Sequence, residues 1–164
     1  MKVDWLKSSD SWLAIKRACR NTINRDGAGK EPDSNWKRRL LLSEHSPIRK
    51  LKVEWKWSDL PYWVSVHLVR HWLGIVHFVG TQRSDRTGEQ RDSKSQDSPV
   101  VHEAEAKAQA LINISRKRLC NGASPETQQA WQAVKDEIAK TEPELARCMV
   151  ADCIYRGHCY EMYS

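Results

Sequence analysis

The sequence predicts an α+β fold, helix-dominated with a small antiparallel sheet. Residues 50–57 set Leu51, Val53, Trp55 and Trp57 against Lys52, Glu54 and Lys56, the period of two of a strand with one buried face. A second β-rich piece, residues 75–79, follows Gly74. The rest is mostly apolar residues at helical spacing behind polar caps or prolines.

Residues 1–5 fit a short strand. Residues 11–24 are amphipathic, with Trp12, Ile15, Ala18 and Cys19 on one face and Asp10 or Ser11 as cap. Residues 25–32 form a loop, and Asp33 or Ser34 caps a helix running to Leu42 around Trp36, Leu40 and Leu41. Residues 43–47 are a turn, because the residue before Pro47 is pushed out of helix space. After the strand at 50–57, Ser58-Asp59-Leu60-Pro61 reads as the start of a helix through the apolar run 63–73. Residues 87–99, TGEQRDSKSQDSP, read as a mobile loop between two halves of a single domain spanning 1–164. Residues 101–121, rich in Ala, Gln, Lys and Leu, read as one long helix. Ser124 caps the next, with Pro125 in its first turn, and Thr141-Glu142-Pro143-Glu144 opens a short last one before a cysteine-containing tail, 148–164.

A chain of 164 residues can bury a real core. A formal charge of +6 and a pI near 9.1 suit an anion binder without separating nucleotides from nucleic acid. Eight Trp against one Phe supply rings for either core packing or flat stacking. No run approaches the ~20 apolar residues of a membrane span, and the N-terminus lacks a signal-peptide pattern, so a soluble cytoplasmic protein is expected. Without an export signal, the five cysteines read as reduced thiols or metal ligands rather than disulfides.

Candidate chemistry concentrates in residues 63–86. His67, Arg70 and His71 are set into an apolar run, where a buried charge needs an acidic partner or an anionic ligand. Arg83 and Arg86 follow in a cationic loop, and Arg116, Lys117 and Arg118 cluster on the later helix. The arginine fork suits phosphate; equally, cations late in a helix complement its dipole. His45 and Ser46, in the turn, add polar contacts. No GxxxxGK[ST] or GxGxxG is present. The cations form no single stripe interleaved with aromatics, which disfavours nucleic acid as the partner. Cys120, Cys148, Cys153 and Cys159 are either a structural zinc set at loose spacing or inert thiols.

In chain order these pieces are a His-Ser-Pro turn, a Trp-rich strand, a helix ending in Arg-His, an arginine loop, and an Asn/Arg helix followed by an Ala-x-x-Glu helix start. The order resembles that of the flavin-dependent thymidylate synthases, the ThyX family, whose signature is RHRxxSxNExSxRY. Arg70-His71 stands for its Arg-His, and Arg83 looks like its phosphate-holding arginine, one residue late. His67 falls where the family has a glutamine. Glu44-His45-Ser46-Pro47 looks like the flavin-contacting turn. Asn113 and Arg118 keep the spacing of a flavin-contacting Asn and a nucleotide-contacting Arg, and Ala123 and Glu126 match the motif that follows. The chain departs from the signature at Trp72, Ile75, His77, Phe78 and Gly80, has Arg49 where an acid is usual, and shortens the middle region to 87–99.

The resemblance implies a compact ThyX-like domain that uses FAD and NADPH to transfer one carbon from methylenetetrahydrofolate to C5 of dUMP, giving dTMP. His67, Arg83, Arg86 and Arg118 would hold the pyrimidine nucleotide, and His45, Ser46, Arg70, His71 and Asn113 the flavin. Family members are homotetramers with shared sites, so the same assembly is expected. The lost signature residues also admit a pyrimidine-nucleotide hydroxymethylase, or a nucleotide- or flavin-binding relative without catalysis.

Overall fold

The computed structural model describes residues 1–9 and 11–162. In chain order its elements are β1 (Lys2–Ser9), α1 (Trp12–Asn21), α2 (Ser34–Leu42), β2 (Lys52–Pro61), α3 (Tyr62–Val69), β3 (Ile75–Val79), α4 (Ser84–Thr87), β4 (Pro99–Lys107), α5 (Ala108–Arg118), α6 (Pro125–Thr141), α7 (Pro143–Cys148) and α8 (Asp152–Arg156). A short 3-10 turn, Ser46–Lys50, precedes β2. The four strands form one antiparallel sheet in the order β1-β2-β4-β3, set among many helices as the sequence predicts.

The alternation of β2 is borne out: Val53, Trp55 and Trp57 are buried on one face, while Lys52, Glu54 and Lys56 are more exposed on the other. The strand does not stop at Trp57. A register shift there, with Asp59 at φ +53, lets Leu60 and Pro61 pair with Val100 and Pro99, so Ser58 starts no helix and α3 begins at Tyr62. β1 likewise extends to Ser9, because each of its residues past Trp5 finds a partner on β2.

The largest correction falls on residues 101–107. They are expected to be helical and instead form β4, which pairs with β2 on one side and β3 on the other. Ala and Glu favour a helix in isolation, but two ladders of backbone hydrogen bonds and burial of alternate residues override that preference. Val100, His102, Ala104 and Ala106 face the core, and Glu103 and Glu105 lie on the other face. Only then does α5 begin.

The core centres on three buried indoles. Trp55 meets Trp57 edge-on at 5.3 Å and Trp131 at 5.9 Å. Trp131 comes from α6 and donates its indole N–H to Ser115 Oγ (2.8 Å), while Trp57 donates to the Ala130 carbonyl (3.1 Å). These bonds fix α5 and α6 on the inner face of the sheet. Caps appear where the sequence places them, at Ser11, Asp33 and Ser124. Asp10, the other candidate for the first cap, and Tyr163 and Ser164 of the tail lie outside the described residues. α8, not anticipated, lies against α5, with the Arg116 guanidinium over the Tyr155 ring at 3.6 Å. Among the described residues no helix is long and apolar enough to cross a membrane.

Candidate functional site

Helix α3 ends in a turn that brings Arg70 and His71 beside α5. Gly74 makes the turn possible: its φ of +77 suits a residue without Cβ, and a Cβ there would stand 3.2 Å from that of Ala110. Its carbonyl accepts from the Lys107 N–H at 2.9 Å, tying the turn to the end of β4.

Arg118, from the last turn of α5, reaches across to this feature. Its Nε–H donates to His71 Nε2 (2.7 Å), and its terminal N–H donates to the His67 carbonyl (3.2 Å). The guanidinium therefore binds one of the unsatisfied carbonyls at the end of α3, where the helix dipole favours a cation. Burial, with the Arg118 and His77 charges adding to it, lowers the His71 pKa to about 4, so the imidazole is neutral and accepts from Arg118. Burial, and then the nearby Arg70, also lowers Arg118 from its usual value.

His77 approaches the same turn from β3. Its Nε2 lies 2.7 Å from the His71 carbonyl and its Nδ1 lies 2.9 Å from Nε2 of His102 on β4. A carbonyl can only accept, so His77 carries its proton on Nε2 and, when neutral, offers Nδ1 to the His102 Nε2–H. Burial lowers both histidines, His102 to about 4 with the His77 charge adding to the effect. His102 packs edge-on to Trp57 at 5.0 Å, and its Nδ1 is buried without a partner.

Beside the turn lies a cleft of about 230 Å³ lined by Arg70, His71, Trp72, Leu73, Asn113 and Lys117, among others. A neighbouring concavity of about 280 Å³ shares Leu73 and Asn113 and adds Arg49, Lys107 and Gln109. Asn113 also belongs to a polar network. Gln109 Nε2 donates to Glu44 (2.5 Å), Arg116 donates to Asn113 Oδ1 (3.2 Å), and Arg116 forms an ion pair with Glu44. Glu44 makes this contact from a left-handed turn, φ +49. Arg116 is thus neutralised inside the protein, while Arg70 and Lys117 line the cleft, the Lys117 ammonium lying 3.1 Å from Glu161.

The structure brings Arg70, His71, Asn113 and Arg118 together. Arg83 and Arg86 lie elsewhere, beyond the far end of β3, a strand whose five residues span about 16 Å. Arg83 forks onto Asp85 (3.0 and 2.8 Å) and borders a separate pocket of about 360 Å³ with Tyr62, Gln82 and Arg91. His45 and Ser46 are exposed at the start of the 3-10 turn. The His67 ring leans edge-on to Trp63 at 5.3 Å, and only its carbonyl meets Arg118. The cysteines are not gathered for zinc: Cys120, Cys148, Cys153 and Cys159 are free, and among the described residues no group of three or more His, Cys, Asp or Glu could hold a metal ion. Burial pushes the Cys148 thiol pKa up. Sequence reasoning misses His102, because it places that residue in a helix, and Glu44 as the acid that answers a basic cluster. The alternation of Val100, His102, Ala104 and Ala106 is the signal that could have found the first.

No family model and no curated protein sequence matches the chain. Solved structures do match its fold. A UMP/dUMP methylase, PolB from Streptomyces cacaoi, bound with 5-Br dUMP, superposes with a TM-score of 0.71 at 16% identity, covering 90% of this chain and 93% of that one. The flavin-dependent thymidylate synthase ThyX from Helicobacter pylori, complexed with FAD and dUMP, gives a TM-score of 0.69 at 14% identity, covering 92% and 100%. A second structure of the Helicobacter pylori enzyme with the same two ligands gives 0.69 at 12% identity. The fold is therefore that of the flavin-dependent thymidylate synthases, as the resemblance in the sequence implies.

Proposed function

We propose that this chain is a ThyX-like enzyme that transfers a one-carbon unit to C5 of a pyrimidine deoxynucleotide, dUMP first among the candidates. The observation that carries the reading is the meeting of Arg70-His71 with Asn113, distant in sequence, at one cationic cleft, with Arg118 hydrogen-bonded to the His71 ring beside it. The solved structures of this fold are named for dUMP or a bromo analogue of it, and those from Helicobacter pylori for FAD as well, which supports the same ligand classes here.

The residues present suit FAD. Arg70 supplies a cation for a pyrophosphate, Lys117 a second on exchanging its Glu161 partner, and Trp72 an apolar ring surface next to them. When bound, the flavin supplies the redox step, with NADPH as reductant and methylenetetrahydrofolate as carbon donor. The chain's own residues bind and orient. Arg118, aimed by His71, is the nucleotide-phosphate cation, and Arg83 with Arg86 is a second anion contact that releases Asp85 on binding. The two sets lie at opposite ends of β3, and a site shared between subunits, as in the expected homotetramer, would bring the set of one copy to that of another.

The visible spectrum of the purified protein is the first test. Bound or readily reconstituted FAD is expected, and a colourless protein that takes up no added FAD would overturn the flavoenzyme reading. Tritium release from [5-³H]dUMP with methylenetetrahydrofolate and NADPH is then expected. Flavin binding without release would leave a nucleotide- or flavin-binding relative, and release without dTMP would point to hydroxymethyl transfer.

A further inference from the structure

The His77–His102 pair contacts neither the cleft nor the residues assigned to nucleotide and flavin, except through one atom, the His71 carbonyl. Resting on the reading of Arg118 as the nucleotide-phosphate cation, we propose that His77 and His102 are positioning residues: they hold the His71 carbonyl, and so fix the imidazole against which Arg118 is aimed.

The geometry supports this at each link. The His71 carbonyl follows the end of α3, where the helix leaves its last carbonyls without internal partners. A carbonyl in that position usually takes water or a local backbone donor. Here the donor is an imidazole from a strand, and that strand is stitched to β4 throughout. His102 is 0% exposed, lies across the ladder from Val79 on one side and Trp57 on the other, and packs edge-on to the Trp57 ring. Its own position is set by the core. The hydrogen bonds then run in one direction: His102 Nε2–H to His77 Nδ1, and His77 Nε2–H to the His71 carbonyl. The bare, buried Nδ1 of His102 is what this direction demands, since its only proton is already committed. On the far side of the same residue, His71 Nε2 accepts from Arg118. A half-buried cation is thereby referenced to the Trp57 core through three imidazoles and one peptide group.

The test uses the full chain and separates this role from the nucleotide reading. In the ligand-free wild type, long-range ¹H–¹⁵N correlations should put the proton on Nε2 in His77 and His102 and on Nδ1 in His71. A proton on His77 Nδ1 instead would overturn the proposal. The Arg118 Nε–H, assigned by its absence in Arg118→Lys, should exchange slowly with solvent. It should exchange fast in His77→Phe, which keeps the ring but removes both hydrogen bonds, and slowly again in His77→Gln, whose amide both donates and accepts. Unchanged exchange in a folded His77→Phe would overturn the proposal. Should that variant not fold, the wild-type tautomers together with the Gln variant decide. The Kd for dUMP should weaken about tenfold in His77→Phe, the effect of losing about 1.4 kcal/mol of preorganisation, and recover in His77→Gln. A wild type that binds no dUMP would sink the nucleotide reading, while the tautomers and the exchange rates would still decide whether the pair positions Arg118.

Discussion

Two buried side chains make predictions that depend on a single atom each. His102 is neutral in the folded chain, with its pKa lowered from 6.5 to about 4 by burial and by His77. Between those values the unfolded chain binds a proton that the folded chain refuses, so stability rises with pH across the window and levels off above it. The full cost of acidification through the window is about 3 kcal/mol for this group. Urea denaturation midpoints from about pH 4.5 to 7 should slope steeply in the wild type and less in His102→Phe; equal slopes would show that the imidazole is hydrated. Trp131 makes the second case. Its indole N–H satisfies Ser115 Oγ in the core, while the Ser115 hydroxyl donates to the Leu111 carbonyl. Trp131→Phe keeps an aromatic ring against Trp55 but leaves the serine oxygen short of a donor. The expected loss is about 1–3 kcal/mol, measured by the same denaturation.

At the scale of elements, legibility followed the locality of the signal. The caps at Asp33 and Ser124 are local, since a side-chain oxygen meets a backbone N–H three residues on, and they were readable. β2 was readable because its alternation is strict. β4 was not, although it alternates too, because its buried positions carry Ala and His where a strand usually shows Val or Ile. Those small residues are required by what lies beside them, the Trp55 and Trp57 rings, and that requirement is written in another part of the chain. The same holds for the site. Arg70-His71 and Asn113 with Arg118 were legible as motifs. The His77–His102 bridge was not, since it exists only once β3 and β4 pair. Ala104→Leu tests the point directly. A helix would accept leucine readily, whereas a strand packed under indoles should lose about 1–3 kcal/mol to overpacking, read as a lower urea midpoint.

The whole molecule leaves a surface that a soluble monomer seldom shows. Trp72 (72% exposed), Leu73 (71%), Val76 (51%) and Phe78 (60%) run from the turn after α3 along β3, which is an edge strand of the sheet. Edge strands are ordinarily short, charged or covered, and this one is short but apolar on its outer face. A second copy of the chain is the occupant that fits the proposed function. The cluster of Arg70, His71 and Arg118 lies at one end of β3 and Arg83 at the other, and packing another subunit against this edge can bring the Arg83 end of one copy to the Arg118 end of its neighbour. The purified protein should therefore be a closed homo-oligomer by light scattering. Phe78→Asp and Val76→Asp place a carboxylate in that contact. Both should shift the mass to smaller species while leaving far-UV circular dichroism unchanged, and both should weaken dUMP binding even though neither residue reaches Arg83 or Arg118. A wild type that is monomeric yet binds dUMP would show that one chain completes the site alone. An oligomer unaffected by Phe78→Asp would place the contact on another face of the molecule.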